Sequence, residues 1–268
     1  MIHPTAIIQD GAMIGDNVSI GAYSFIGANV TLADNVFIYP HVLIDGYTNI
    51  GKNTRVFPNA IIGMDPQDLK YKGEKTHIKI GSDCVIRESV TIHSGTISGK
   101  AITAIGNNCL LMVGSHIAHD CEIGNNVILI NQATLAGHAV VGDFAIIGGL
   151  SGIQPFVRIG KHAYIAGMTA VEMDILPYGI GKGILRRCFL TGVNIKGLRQ
   201  RGFTKNHIQQ IREVYIEIFD GPSSEITYRS HQLIDKYKDN IVIQDLLTFI
   251  NEKPDRHLCL PSEESIIK

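Results

Sequence analysis

Aliphatic residues recur at every sixth position over most of this chain. The first run is unbroken from Ile2 to Ile62, and later runs cover 80–92 and 105–171. A period of six fits neither the helical repeat of about 3.6 residues nor the two-residue alternation of a half-buried strand. It is typical of a solenoid in which short strands stack coil upon coil, each coil burying its apolar residues against its neighbours.

A triangular solenoid makes the stacking explicit. Three hexapeptides then complete one coil, so residues eighteen apart lie above one another at about 4.8 Å. A glycine often follows the aliphatic position, as at Gly15 and Gly106, and we expect these glycines to turn corners with positive φ. The residue two places before the aliphatic position should be small. Cys84, Cys109 and Cys121 occupy it and are predicted to be packing residues.

Two polar segments interrupt the repeat, at 63–79 and 93–104, and are predicted to leave the solenoid as loops. After Val171 the period ends and a helical pattern begins, including a helix capped by Thr204. The sequence therefore predicts a mostly β fold, with a parallel β-helix over 1–189. A C-terminal α-helical domain over 190–268 would cap its open end.

Charge and hydropathy exclude several classes of partner. Lys and Arg number 24 against 25 Asp and Glu, so the chain as a whole has no reason to bind nucleic acid. No apolar run reaches the length of a membrane span, and the start lacks a secretory pattern, so we expect a cytoplasmic protein. Between 186 and 205, however, the only charged residues are Lys and Arg, which suits an acidic partner or a merely solvated basic face.

Several sequence motifs indicate which protein family the chain resembles: IHPTA, QDLKY, IRESVTIH, HIAHDC, ATLAGH, DFAIIGG and GVNIKGLRQRGF. Together they resemble the hexapeptide-repeat acyltransferases, and among these the UDP-N-acetylglucosamine O-acyltransferases that begin lipid A synthesis. The resemblance implies a left-handed parallel β-helix, although the general crossover rule favours the right hand. It also implies a homotrimer without a cofactor, a 3-hydroxyacyl donor carried by acyl carrier protein, and UDP-N-acetylglucosamine as the acceptor.

The string SHIAHDC at 115–121 carries the candidate chemistry. An eighteen-residue coil stacks His119 on Gly137 and Asp120 on His138. Acyl transfer from a thioester to a sugar hydroxyl needs a base for the hydroxyl proton and a donor for the oxyanion. We therefore assign His119 as the general base, Asp120 as the carboxylate that orients it, and the Gly137 backbone N–H as the oxyanion donor. The resemblance implies the same roles.

The resemblance also implies residues that contact the substrates. Asp68 and Lys70, on the first loop, resemble residues that reach the nucleotide sugar from a neighbouring subunit. The other predicted contacts to substrate are His93, His116, His138, Gln154, Asn194 and Arg201. The residues predicted to bind acyl carrier protein are Arg186, Arg187, Arg199 and Lys205.

The histidines could also have other roles. His116, His119 and His138 could supply three imidazoles to a metal, but transfer from a thioester needs no Lewis acid and no thiol lies beside them, so no metal is predicted. Elsewhere a histidine on a solenoid is more often a solvated or hydrogen-bonded outer-face residue, and we interpret His41 and His162 in this way.

The chain departs from the family pattern at three places. It has Gln154-Pro155 instead of His-Gln, Lys196 instead of Glu, and Gln200 instead of Arg. These changes leave two alternatives open. One is an N-acyltransferase acting on a UDP-amino sugar, and the other is a protein that binds a nucleotide sugar without catalysis.

Overall fold

The computed structural model describes residues 1–184, 187–252 and 254–262. Its regular elements are twenty-seven strands followed by four α-helices. The strands are β1 (Ile7–Ile8), β2 (Met13–Ile14), β3 (Ser19–Ile20), β4 (Phe25–Ile26), β5 (Thr31–Leu32), β6 (Phe37–Ile38), β7 (Leu43–Ile44), β8 (Tyr47–Ile50), β9 (Arg55–Val56), β10 (Ile61–Met64), β11 (His77–Ile80), β12 (Val85–Ile86), β13 (Thr91–His93), β14 (Ile102–Ile105), β15 (Leu110–Leu111), β16 (His116–Ile117), β17 (Glu122–Ile123), β18 (Ile128–Leu129), β19 (Thr134–Leu135), β20 (Val140–Val141), β21 (Ile146–Ile147), β22 (Gly152–Ile153), β23 (Arg158–Ile159), β24 (Tyr164–Ile165), β25 (Ala170–Val171), β26 (Gly179–Ile184) and β27 (Arg187–Val193). The helices are α1 (Ile195–Gln200), α2 (Lys205–Phe219), α3 (Ile226–Lys236) and α4 (Ile241–Asn251), with a 3₁₀ turn at Ser223–Glu225.

Every third strand joins the same sheet. The result is three sheets of nine, eight and ten strands, parallel except for the final β26–β27 pair. From β1 to β25, where no loop intervenes, paired residues are eighteen apart, as for Thr134 and Gly152. This confirms the predicted solenoid, which is a left-handed parallel β-helix with a C-terminal helical region.

From Ile20 onwards, the aliphatic residue of each hexapeptide points inward and forms the core, whereas Ile2 is exposed at the open end. Ile117 and Leu135, on adjacent coils, are fully buried, and each such side chain contributes about 1.5–3 kcal/mol. Cys84, Cys109 and Cys121 are at most 1% exposed. Their predicted packing role is therefore confirmed.

Most glycines after the inward residue do not make the corners, although Gly63, in β10, has a φ of 95°. The left-handed conformation falls instead to residues such as Asn108 and Asn126, with φ of 56° and 59°, whereas Gly15 and Gly106 do not have positive φ. A Cβ on Gly106 would lie 2.6 Å from the carbonyl carbon of Gly124 in the next coil. The prediction of positive φ was wrong here, because close stacking of coils, rather than the turn, requires glycine.

The two interruptions leave the solenoid as loops between β10 and β11 and between β13 and β14. Tyr47 pairs with His77 and His77 with Ile102, offsets of 30 and 25 residues where an undisturbed coil has eighteen. We call residues 65–76 the first loop and residues 94–101 the second loop.

The helices close the last coils. Thr204 caps α2 as predicted, its Oγ1 accepting from the His207 N–H. Strand β27 runs across the predicted 189/190 boundary, and α1 begins at Ile195. Arg158 ties the parts together, with Nε 2.7 Å from Asp174 and Nη1 2.9 Å from Glu252.

Residues 254–262, which we call the C-terminal strap, run back along the solenoid end, and the Cys259 N–H donates to the Asp174 carbonyl. Over the described ranges, no helix is both long and apolar enough to cross a membrane.

Candidate active site

One corner of the solenoid brings the predicted catalytic residues together. Asp120, His138 and Phe156 turn successive coils with φ of 59°, 64° and 65°, a conformation that places each side chain over the one below. His119 and Gly137 each precede a corner residue. The six-residue period thus builds a column of side chains along one edge, and its chemistry depends on which residues stand there.

The His119 imidazole bridges Asp120 and Gly137. Its Nδ1 lies 2.9 Å from Oδ2 of Asp120, whose side chain is fully buried. A Cβ on Gly137 would lie 2.5 Å from Cε1 and Nε2 of the imidazole. The glycine therefore makes room for the ring, and the free nitrogen, Nε2, lies next to the Gly137 backbone.

The second loop holds the Asp120 carboxylate. Thr96 donates through its backbone N–H, 3.1 Å from both oxygens, and through Oγ1 at 2.7 Å, and the Lys100 N–H donates at 2.9 Å. Burial opposes ionisation, but hydrogen bonds from Thr96, His119 and Lys100 outweigh it and keep the pKa of Asp120 below its ordinary value. Asp120 is therefore an anion that fixes Nδ1 as the protonated nitrogen of His119.

The Gly137 N–H has no acceptor among the residues that the structure describes. At another corner the same turn position is satisfied by the coil above, where the Asn107 N–H donates to Oδ1 of Asn125 at 2.9 Å. Above Gly137 stands Pro155, which has no side-chain acceptor. The Gly137 N–H is thus free to donate to an oxygen atom of a ligand, as the predicted role of oxyanion donor requires.

Three further histidines line the same edge. His116 Nδ1 lies 2.7 Å from Thr91 Oγ1, and its ring meets that of His93 edge-on at 4.9 Å. His93 Nδ1 is buried without a hydrogen-bond partner. Burial, followed by nearby charged groups, lowers the pKa of His93 to about 4, and burial also lowers the pKa of His116 and of His138. At neutral pH these groups are uncharged acceptors or donors.

The first loop lies over the same edge of its own chain. Lys70 and Tyr71 line a cavity of about 250 Å³ with Thr96 and Ile97 of the second loop. Asp68 Oδ1 accepts from the Lys70 N–H at 2.9 Å, and the charge of Asp68 acts on His138. Asp68 and Lys70 therefore lie near the His119 corner of their own chain, whereas the resemblance implies a contact from a neighbouring subunit, and that contact stays a prediction.

Asn194 and Arg201 lie at a different corner. Asn194 caps α1, its Oδ1 accepting from the Gly197 N–H and its Nδ2 donating to the His162 carbonyl. The Arg201 guanidinium lies 5.7 Å from the Phe144 ring, and its Nη1 is buried without a partner. The structure does not bring these two residues to the His119 corner of the same chain.

His162 is not the outer-face residue that we expected. It is 8% exposed, its ring stacks on Phe144 at 4.7 Å, and Phe203 of the helical region meets it edge-on at 5.0 Å. Burial lowers its pKa to about 4. The interpretation was wrong because the helical region covers this corner, which the repeat pattern could not reveal. His41 is exposed, as predicted.

The remaining predicted residues are on the surface. Gln154 is exposed one coil above Ala136. The exposed cations of the basic segment are Arg187, Lys196, Arg199 and Lys205. Arg186 lies outside the described residues. Within the described part of the chain none of these four cations pairs with a carboxylate, so their charge is available to a partner.

Donor atoms of His119, Asp120 and His138 lie within 4.8 Å of one another, a spacing that a metal ion could also use. The Asp120 oxygens, however, already accept from Thr96, Lys100 and His119. A metal would have to displace these donors, so the arrangement suits a base and its carboxylate better. The absence of a metal stays a prediction.

Sequence reasoning missed Thr96, Lys100 and Phe156. Phe156 had a visible signal, because it lies eighteen residues after His138. Thr96 and Lys100 had none, because a loop that leaves the repeat carries no register.

Comparison with known proteins agrees with this geometry. A sequence profile described as "Udp N-acetylglucosamine O-acyltransferase; Domain 2" matches residues 174–259. A second, described as "Bacterial transferase hexapeptide (six repeats)", matches residues 11–46 and 103–137. The UDP-N-acetylglucosamine acyltransferase of Francisella novicida superposes with a TM-score of 0.94 at 35% identity, over 99% of this chain and 95% of that one.

Two relatives carry the name acyl-[acyl-carrier-protein]--UDP-N-acetylglucosamine O-acyltransferase. The Azorhizobium caulinodans protein is 48% identical, over 98% of this chain and 96% of its own length. The Rickettsia canadensis protein is 50% identical, over 96% of this chain and 97% of its own length. With identity near one half over almost the whole length and a shared fold, this chain belongs to the UDP-N-acetylglucosamine O-acyltransferase family.

Proposed function

We propose that this protein transfers a (3R)-3-hydroxyacyl group from acyl carrier protein to the 3-hydroxyl of UDP-N-acetylglucosamine, the first step of lipid A synthesis. Family membership supports the reaction. The observation that carries the mechanism is the contact of His119 with both Asp120 and Gly137. The cytoplasmic location predicted from the sequence stays a prediction.

In the proposed mechanism, Nε2 of His119 takes the proton of the sugar hydroxyl as the hydroxyl oxygen attacks the thioester carbonyl. Asp120 stabilises the resulting imidazolium through Nδ1. The Gly137 N–H donates to the oxyanion of the tetrahedral intermediate. Collapse of the intermediate expels the carrier thiolate, and the imidazolium returns the proton to sulfur. No cofactor enters this sequence.

We propose that substrate contacts come from two copies of the chain. Asp68, Lys70, His93, His116, His138 and Gln154 would serve the acceptor and acyl group from one copy. Asn194 and Arg201 lie at another corner, so they can contribute only if a neighbouring copy presents that corner. Arginine suits a diphosphate because its planar fork binds two oxygens. Asn194 has both side-chain groups occupied, so its contribution would be to position α1.

An apolar sheet face supports the homotrimer. Along the third sheet, the outward positions of successive coils carry partly exposed apolar residues, namely Val85, Leu110, Ile128, Ile146 and Tyr164. The second sheet is more polar at the same positions, where Lys79, Glu122 and Arg158 alternate with Ala104 and Val140. The apolar outward face of the third sheet is the one whose burial against another copy of the chain would be most favourable.

The basic segment supports docking of an acidic carrier. Arg187, Arg199 and Lys205 are exposed and unpaired by carboxylates in the described ranges, and we propose that they bind acyl carrier protein together with Arg186. Such contacts act mainly on the rate of encounter and weaken with salt.

The test is turnover by the purified protein with a 3-hydroxyacyl carrier thioester and either UDP-N-acetylglucosamine or its 3-amino analogue. We expect ester formation with the first acceptor, and a loss of about 10²–10⁴-fold in kcat for His119→Ala. Turnover of the amino sugar alone would favour the N-acyltransferase, for which the exchanges at Gln154, Lys196 and Gln200 leave room. Unchanged activity of His119→Ala would refute the mechanism.

A further inference from the structure

Phe156 lies flat on the His138 imidazole. The two ring centroids are 4.4 Å apart and the planes differ by 5°. Both residues hold the left-handed corner conformation on adjacent coils, so the stack follows from the register of the solenoid. Phe156 is nevertheless 42% exposed, so it is not part of the buried core.

Within the described ranges, no hydrogen bond fixes the His138 ring. Its Nε2 is 3.9 Å from Oδ2 of Asp120, too long for a hydrogen bond, and the His119 ring meets it edge-on at 5.1 Å. The charged groups that act on it are Asp120, His119, Asp68 and Lys100. Electrostatic attraction or repulsion from these groups does not fix the plane of the His138 imidazole. Stacking on the Phe156 ring does restrict that plane.

Phe156 is itself held at two points. Its N–H donates to the Gly137 carbonyl at 3.2 Å. The carbonyl of the preceding Pro155 accepts from Nε of Arg256, in the C-terminal strap, at 2.9 Å. Because proline also restricts its own φ, the Pro155–Phe156 corner has little freedom to tilt.

We propose that Phe156 is a positioning residue that holds the edge of the His138 imidazole towards the Asp120 carboxylate, and that Arg256 steadies Phe156 from the strap. The inference rests on the proposed function, because it assigns His138 to the acceptor side of the same site. A tilted His138 would misplace the acceptor relative to His119 while leaving His119 and Asp120 intact.

The test compares Phe156→Leu with the conservative Phe156→Tyr, by kcat and KM and by NMR titration of ¹³C-labelled histidines, with the His138 signal assigned through His138→Gln. We expect Phe156→Leu to lower kcat about tenfold and to raise the pKa of His138 towards its ordinary value, because the stacked ring that helps to bury the imidazole is lost. Phe156→Tyr should restore both. Arg256→Gln, outside the corner, should change both in the same direction by a smaller amount.

The matched control is Tyr23→Leu, because Tyr23 stacks on His41 at 5.3 Å in a distant coil. It should leave both kcat and the pKa of His138 unchanged. If Phe156→Leu leaves either the His138 titration or kcat at its wild-type value, the positioning role is overturned. Absence of turnover by the wild-type protein would instead count against the proposed function, since the NMR titration reports on the stack without any reaction.

Discussion

Gly137→Ala is the substitution that most directly tests the site, because its effect can be worked from one distance. The new Cβ would stand 2.5 Å from Cε1 and Nε2 of His119, and the His119 ring supplies all three nearest atoms. Carbon contacts are comfortable from about 3.5 Å, so the imidazole must retreat by about 1 Å. Gly137 does not have positive φ, so alanine accepts its backbone, and the N–H proposed to meet the oxyanion remains in place.

A displacement of about 1 Å in a reacting group costs about 10²-fold in rate. We therefore expect kcat to fall about 10²-fold, which is about 2.7 kcal/mol in the barrier. The unfolding free energy should change by less than about 1 kcal/mol, because the imidazole is partly exposed and can yield towards solvent. The assay is acyl transfer from the carrier thioester to UDP-N-acetylglucosamine, with urea unfolding in parallel. Gly152→Ala, whose Cβ would meet nothing within 4 Å, is the folding control.

The His119→Ala background completes the argument. Once the imidazole is gone, Cβ of residue 137 has nothing to displace, so Gly137→Ala should add less than about threefold to the loss already caused by His119→Ala. A full additional loss would mean that Gly137 acts independently of His119. Wild-type kcat in the single variant would refute the crowding argument itself.

Three other predictions follow from charge and burial. Burial depresses the folded pKa of His162 to about 4, so the stabilising effect of this group is complete above the unfolded pKa and is lost as the pH falls. Lowering the pH from 7 to 5 should therefore cost about 2 kcal/mol of unfolding free energy from His162. His93 has a similar pKa and contributes separately, so His162→Phe should reduce the total loss in urea titrations by about 2 kcal/mol rather than abolish it. Arg158→Ala leaves the buried Asp174 carboxylate without its ion-pair partner. It should lower the unfolding free energy, measured in the same urea titrations, by about 3–5 kcal/mol. A change below about 1 kcal/mol would show that the Arg158–Asp174 ion pair is unimportant for stability. Treatment with EDTA should leave kcat unchanged; a loss that added zinc restores would establish the metal site that we predict to be absent.

Much of the fold could be predicted because the chain repeats. Aliphatic residues six apart must share an interior, and so His119 and Gly137, eighteen apart, must stack. The two loops cannot be predicted in this way, because their residues lie outside the six-residue repeat. Nothing in the sequence places Thr96 and Lys100 on Asp120, because the second loop is seven residues longer than the register allows, as the offset of 25 in place of eighteen shows. The burial of His162 escaped prediction for a related reason, since Phe203 reaches it from a helical region outside the repeat.

Two corners of one solenoid show how the same turn can serve structure at one place and chemistry at another. At the His162 corner, the turn positions are Asn107, Asn125 and Asp143, and each side chain accepts the N–H of the turn below, the Asn125 N–H lying 2.6 Å from Asp143 Oδ1. These side-chain oxygens already accept hydrogen bonds from the backbone, and Phe203 covers the corner above them.

At the Asp120 corner, the same turn positions are His119, Gly137 and Pro155, so no side chain satisfies the N–H of Gly137. The second loop supplies separate donors to keep Asp120 ionised. The Asp120 corner thus lacks the side-chain to backbone hydrogen bonds that stabilise successive turns at the His162 corner. The backbone donor left free, together with a base and its carboxylate, is what transfer of an acyl group requires.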